Sequence, residues 1–138
     1  MWFRKTMIVP TSGRSTVSIT EEVAALVHQS GVGAGLCHLF NQHTSASLVL
    51  SENADPAVRR DFETFLAATV PDGSTRYSHD QEGDDDMPAH IRTLLTGSDL
   101  TIPIDHNRMM LGTWQGIYLY EHRTAAHRRS VVVTVFGN

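Results

Sequence analysis

A chain of 138 residues is the length of one ordinary domain. With 41% hydrophobic and 19% charged residues it can bury a core of its own, which excludes the disordered class. The formal net charge of −4 excludes the basic footprint of a nucleic-acid binder, and no stretch approaches the 18 or so apolar residues of a membrane span. A single cysteine, Cys37, excludes an intrachain disulfide and, with no signal-peptide-like apolar run at the start, fits a cytoplasmic setting.

"WFRKTMIVP" alternates loosely and predicts a first strand ended by Pro10, and "STVSIT" predicts a second with Val17 and Ile19 on one face. Thr20 is positioned to cap a helix with Glu21 and Glu22 in its first turn and Val23, Leu26 and Val27 as its apolar stripe; "SGVGAG" stops it. "LCHLFNQHTSASLVLS" reads as a long strand broken near His43 to Ser45, with Cys37, Leu39, Asn41 and His43 on one side. Asp55-Pro56 is a cap-and-proline helix start, followed at helical spacing by Val58, Phe62, Phe65, Leu66 and Thr69. Asp86 and Pro88 repeat that signal for a short helix ended by Gly97, with Ile91, Leu94 and Leu95 as its expected core stripe. Strands "DLTIPI" and "TWQGIYLYE" flank a hairpin region at "DHNR", and "RSVVVTVF" closes the chain. Roughly seven strands and three helices with short connections predict a single α+β domain over residues 1–138. Antiparallel sheet dominates it, as a sandwich or distorted barrel.

The chemistry concentrates in "YSHDQEGDDDMPAHI", residues 77–91. An EF-hand reading fails on spacing, because counting from Asp80 puts Gly83 fourth and Ile91 twelfth, where the loop needs a glycine sixth and a glutamate twelfth. The acids read instead as a solvated cap, with Asp86 at the cap position and Asp84 and Asp85 near the positive helix end. The histidines differ. His90 lies in the first helical turn, His79 just before that helix and His43 at a strand end, so all three can line one cavity mouth. Three protein ligands with an open fourth position make a catalytic zinc site.

"HTSASLVLSENADPAVRRDFETFLAATVPD", "HDQEGDDDMPAHI" and "GSDLTIPIDHNRMMLGTWQGIYLYEHR" together resemble the YjbQ family, also called UPF0047, over nearly the whole chain. The resemblance implies a β-rich α+β fold, a homotrimer, and a secondary thiamine-phosphate synthase activity. It points to His43, Glu52, Asn53, Asp55, His79, Glu82, Gly83 and His90 as the shared positions. It supports His43, His79 and His90 as ligands of a divalent transition metal, zinc by ligand type, and Glu52, Asn53 and Asp55 as catalytic residues.

Two further residues join the catalytic candidates. Gln115 could orient a ligand or satisfy a buried backbone group. Glu121, on an apolar strand face, could support a metal-bound histidine or pair with an arginine. Thr44, Ser45 and Ser47 beside His43, with Arg128 and Arg129 from the basic cluster that also holds Arg123, are the expected donors to a phosphate. The expected function is a metal-dependent enzyme acting on a small phosphorylated metabolite. The alternatives are a metal-dependent hydrolase and a non-catalytic metal- or metabolite-binding trimer.

Overall fold

Alternating apolar residues build eight strands and three helices. In chain order they are β1 (Trp2–Pro10), β2 (Ser15–Ser18), α1 (Thr20–Ser30), β3 (Gly35–Asn41), β4 (Ala46–Glu52), α2 (Pro56–Thr69), α3 (Asp86–Thr96), β5 (Asp99–Asp105), β6 (Arg108–Met109), β7 (Gln115–Glu121) and β8 (Arg128–Gly137). The structure, a computed structural model, describes residues 1–138. Every strand pair is antiparallel, in two sheets of order β1-β8-β3-β5-β6 and β2-β7-β4. The expected α+β domain with three helices and mainly antiparallel sheet is therefore the fold. The strand beyond the expected seven is β6, which a two-residue turn joins to β5: His106 and Asn107 take φ of 51° and 58°, as a type I′ hairpin requires.

The core lies between the sheets. Val9, Cys37, Leu39, Ile102, Ile104, Val131, Val133 and Val135 come from the larger sheet, and Leu48, Ile117 and Leu119 from the smaller. Val23 and Val27 of α1, with Ile19 before and Val32 after that helix, complete it. Burying side chains of this kind stabilises by roughly 1.5–3 kcal/mol each.

Helix caps follow the sequence unevenly. Asp55 accepts a hydrogen bond from Ala57 N (2.9 Å) with Pro56 at the first helical position, as expected. Thr20 does not cap α1; its hydroxyl accepts from Ile117 N (2.8 Å) and ties the helix start to β7. Asp86 is not a cap either. It is the first residue of α3, and Asp85 before it makes no side-chain cap. The expected apolar stripes are also turned outward. On α3 the buried residues are Asp86, Pro88, Ala89, Arg92 and Thr93, while Leu94 and Leu95 are 87% and 61% exposed. On α2 only Leu66 is buried, and Phe65 is 65% exposed.

The reason lies beneath α3, where a polar cluster needs partners. Ser47 lies 2.6 Å from His122 Nε2 and also bonds the Thr96 hydroxyl, while Arg92 meets Glu63 through two hydrogen bonds of 2.7 and 3.0 Å. Burying the polar stripe of α3 pairs the Ser47 and Thr96 hydroxyls, His122 Nε2 and the two Nη atoms of Arg92, while Arg92 Nε and His122 Nδ1 stay without a partner; each group left unpaired costs about 1–3 kcal/mol.

Candidate metal centre

Position i to i+4 on α3 places Asp86 and His90 on one helix face. The loop between α2 and α3 carries His79 to the same place, turning at Gly83, whose φ of +104° suits glycine. His90 Nδ1 lies 2.9 Å from the carbonyl oxygen of Thr44. A carbonyl can only accept, so Nδ1 carries the proton and the neutral ring has its lone pair on Nε2. That nitrogen lies 3.4 Å from Asp86 Oδ2, and the same oxygen lies 2.6 Å from His79 Nε2.

An imidazole lone pair facing a carboxylate oxygen is repulsive unless a proton or a cation sits between them. All three ligand atoms lie within 4.8 Å of one another. Ligands bound tetrahedrally to zinc sit about 3.3 Å apart, from bonds of about 2.0–2.1 Å. The His90–Asp86 spacing already matches, and His79 needs to open by roughly 0.7 Å on that geometry.

The surroundings favour positive charge. Glu82 Oε2 lies 3.5 Å from His79 Nε2. An adjoining cavity of about 270 Å³ is lined by Ser74, Tyr77, His79, Asp80, Asp84 and Met87 among others. Asp86 is buried, which opposes its ionisation. The hydrogen bond from His79 and the nearby Arg123 charge outweigh this and hold its carboxyl below the usual range. Arg123 spans the loop: Nη1 is 2.8 Å from Asp86 Oδ1, Nε donates to Asp85 Oδ2 (2.9 Å), and Nη2 donates to Glu82 O (2.9 Å). Asp85, also bonded by Thr124 N, is depressed to about 2; burial opposes this shift, and the Thr124 and Arg123 hydrogen bonds overcome it. Arg123 thus occupies one oxygen of Asp86 and leaves Oδ2 for the histidines.

The expected residues fall in three places. His79 and His90 come together, but their third partner is Asp86, not His43. His43 lies beyond the end of β3, and its Nε2 accepts from Ser130 N (2.7 Å). Arg129 is not available to a phosphate: it is buried against Glu121, with Nε donating to Oε1 (2.8 Å), Nη2 bonding Oε2, and Nη2 also donating to Ser45 Oγ (3.0 Å). Of the two readings of Glu121, pairing with an arginine is the one observed. Ser47 is buried on His122, Thr44 supplies its carbonyl to His90, and Arg128 is exposed. The expected phosphate donors therefore do not form one pocket.

Glu52, Asn53, Asp55 and Gln115 gather at the other end of the smaller sheet. Glu52 pairs with Gln115 there, and Ala46 pairs with Glu121 at the near end, six residues away along β4. That separation is roughly 20 Å at about 3.3 Å per residue. Their contacts organise turns. Glu52 Oε2 accepts from Ala54 N and Asp55 N (3.1 and 2.9 Å), and Gln115 Oε1 accepts from Gly112 N (2.8 Å). Asp86 and Arg123 are the participants that sequence reasoning missed. The i, i+4 spacing of Asp86 and His90 was the available signal, obscured because an acid at a helix start also reads as a cap.

A profile of the family described as "UPF0047 protein YjbQ-like" matches residues 4–138. A UPF0047 protein of Synechocystis sp. is 49% identical over 131 residues, covering 95% of this chain and 89% of that one. The UPF0047 protein YjbQ of Escherichia coli O157:H7 is 45% identical over 138 residues, covering 99% of both. The crystal structure of an uncharacterized YjbQ/UPF0047-family protein from Clostridium acetobutylicum superposes with a TM-score of 0.88 at 36% identity, covering 96% of this chain and 99% of that one. On the length and identity of these matches, the chain belongs to the UPF0047 (YjbQ-like) family.

Proposed function

We propose that the protein is a metal-dependent enzyme acting on a small phosphorylated metabolite. Its divalent transition metal, zinc by ligand type, is held by His79 Nε2, Asp86 Oδ2 and His90 Nε2. The single observation that carries this reading is the His90 lone pair, aimed at Asp86 Oδ2 from 3.4 Å by the Thr44 carbonyl. Two imidazoles and one carboxylate would suit zinc or iron, and of the three residues His79 also lines the adjoining cavity. Such an ion supplies a Lewis acid, or lowers the pKa of a water, for attack on the substrate. The chain's own groups do the positioning: Thr44 fixes the tautomer of His90, and Arg123 limits Asp86 to one ligating oxygen. Asp80 and Asp84 in the cavity wall would repel an anion unless a bound cation offset their charge.

Family resemblance makes thiamine phosphate formation the first reaction to test. In it the thiazole nitrogen attacks the aminopyrimidine diphosphate and pyrophosphate leaves. A homotrimer and a cytoplasmic location belong to the same reading. Exposed apolar side chains support association, with Trp114 62%, Phe65 65% and Leu94 87% accessible in the single chain. No helix is long and apolar enough to cross a membrane.

A second reading, a metal-binding trimer without catalysis, draws on the distance between the histidine cluster and Glu52, Asn53, Asp55 and Gln115. Zinc-loaded and chelator-treated protein, incubated with the two thiamine precursors and with a panel of phosphorylated metabolites, separates the readings. Release of phosphate or pyrophosphate that needs zinc and disappears in His90→Ala supports the enzyme. Bound zinc with no turnover on any of them supports the second reading.

A further inference from the structure

We propose that the cleft between β2 and the first half of α2 is an anion-binding site for the phosphate or pyrophosphate end of a small metabolite. Arg14, Ser15, Thr16, Arg59, Arg60 and Glu63 line a cavity of about 370 Å³ there, with Pro56 and Tyr120 completing the wall. That volume falls at the lower end of the range for small-molecule sites. It admits one phosphorylated group rather than an extended polymer, and the chain's net charge of −4 argues against nucleic acid as the occupant.

The charges of this cleft do not cancel. Arg14 is matched by Asp72, through hydrogen bonds of 2.8 and 3.1 Å. Glu63 is matched by Arg92 and also accepts from the Tyr120 hydroxyl (2.8 Å), so its oxygens are already occupied. Arg59 and Arg60 have no carboxylate partner. Arg59 donates to the Glu52 carbonyl (2.9 Å) and its guanidinium lies 4.6 Å from the centre of the Tyr118 ring. Both contacts hold the fork in place without neutralising it, which reduces the ordering cost when a ligand arrives. Arg60 contributes only its backbone carbonyl, which accepts from the Thr64 hydroxyl (3.1 Å), and Thr16 only its backbone pairing with Tyr120.

Two arginines without a carboxylate partner, both lining one cleft of an acidic protein, supply the donors a phosphate requires. The residues differ entirely from the expected set of Thr44, Ser45, Ser47, Arg128 and Arg129, of which Arg129, Ser45 and Ser47 are spent on internal contacts. The site is independent of the histidine cluster and its metal.

Calorimetric titration of metal-free full-length protein with sodium pyrophosphate at low ionic strength tests the proposal. The wild type and His90→Ala are expected to bind alike. Arg60→Ala, whose side chain has no hydrogen bond or ion pair to lose, and Arg59→Ala/Arg60→Ala are expected to weaken binding by at least about tenfold. Added salt is expected to weaken it further. No binding by the wild type, or equal binding by Arg60→Ala and the wild type, overturns the site. Binding lost in His90→Ala but kept in the arginine variants also overturns it, and assigns the anion to the histidine cluster instead.

Discussion

Replacing Arg129 with alanine should cost far more stability than any surface substitution in this chain. Glu121 is fully buried, and Arg129 is 4% exposed. Burial works to raise the Glu121 pKa; hydrogen bonds from Arg129, Arg123 N and Thr11 outweigh it and hold the carboxyl below its usual range. Removing Arg129 strips the counter-ion and leaves a buried charge with two neutral donors. Breaking a buried pair from one side costs about 3–5 kcal/mol. For a domain of this size that corresponds to a fall in Tm of roughly 10–15 °C. Urea unfolding of wild type and Arg129→Ala at pH 7, followed by circular dichroism, measures the loss directly. Adding Glu121→Gln removes the stranded charge and keeps an acceptor for Thr11, so the double variant should be more stable than Arg129→Ala alone. The sign with pH follows from the depressed carboxyl: the pair's stabilisation is fully present above the ordinary carboxylate range and is lost as pH falls from that range through the lower folded-state value. A loss below about 1 kcal/mol in Arg129→Ala, within the usual range for an exposed pair, would refute the assignment of Arg129 to the interior and restore it as a substrate ligand.

Burial pushes His122 down to about 3, so the unfolded chain binds this proton more readily; stability should fall as pH drops below about 6.5, by about 2 kcal/mol at pH 5, and His122→Asn should lose less over the same interval in parallel urea melts. Asp55→Ala should cost about 1 kcal/mol of stability, whereas Asp55→Asn, an equally good cap, should cost almost nothing; a large loss in Asp55→Asn would point to a role beyond capping. Burial pushes the Cys37 thiol up to about 11, so iodoacetamide at pH 8 should label it only in unfolded protein, and rapid labelling of the native state would contradict its place in the core.

Some local signals carry through to the structure, although the cap signals at Thr20 and Asp86 do not. Asp55-Pro56 starts a helix because the carboxylate and the proline act on their own backbone, and "DHNR" turns because Asn107 and His106 tolerate positive φ. Alternation placed Cys37, Leu39 and Asn41 on the buried side of β3 and Glu121 inside. Failures came where a residue has two possible employers. Helical spacing on α3 offers both a leucine stripe and a polar one; the polar stripe is buried because Ser47, His122 and Glu63, from elsewhere in the chain, need its partners. The same ambiguity hid Asp86, whose partners His79 and Arg123 come from a loop and from the segment after β7. His43 was placed at a strand end correctly, but the approach of Ser130 N to its ring is a matter of tertiary register.

Metal content tests the central claim most directly. Purified wild type, His79→Ala, Asp86→Asn, His90→Ala and His43→Ala are each equilibrated with zinc, dialysed and measured by elemental analysis, then titrated to lower pH. One zinc per chain is expected in the wild type and in His43→Ala, with little or none in the other three. Bound zinc should be released as pH falls, because protons compete for the imidazoles. Asp86→Asn retaining zinc at the wild-type level, or His43→Ala losing it, would contradict the centre built on His79, Asp86 and His90.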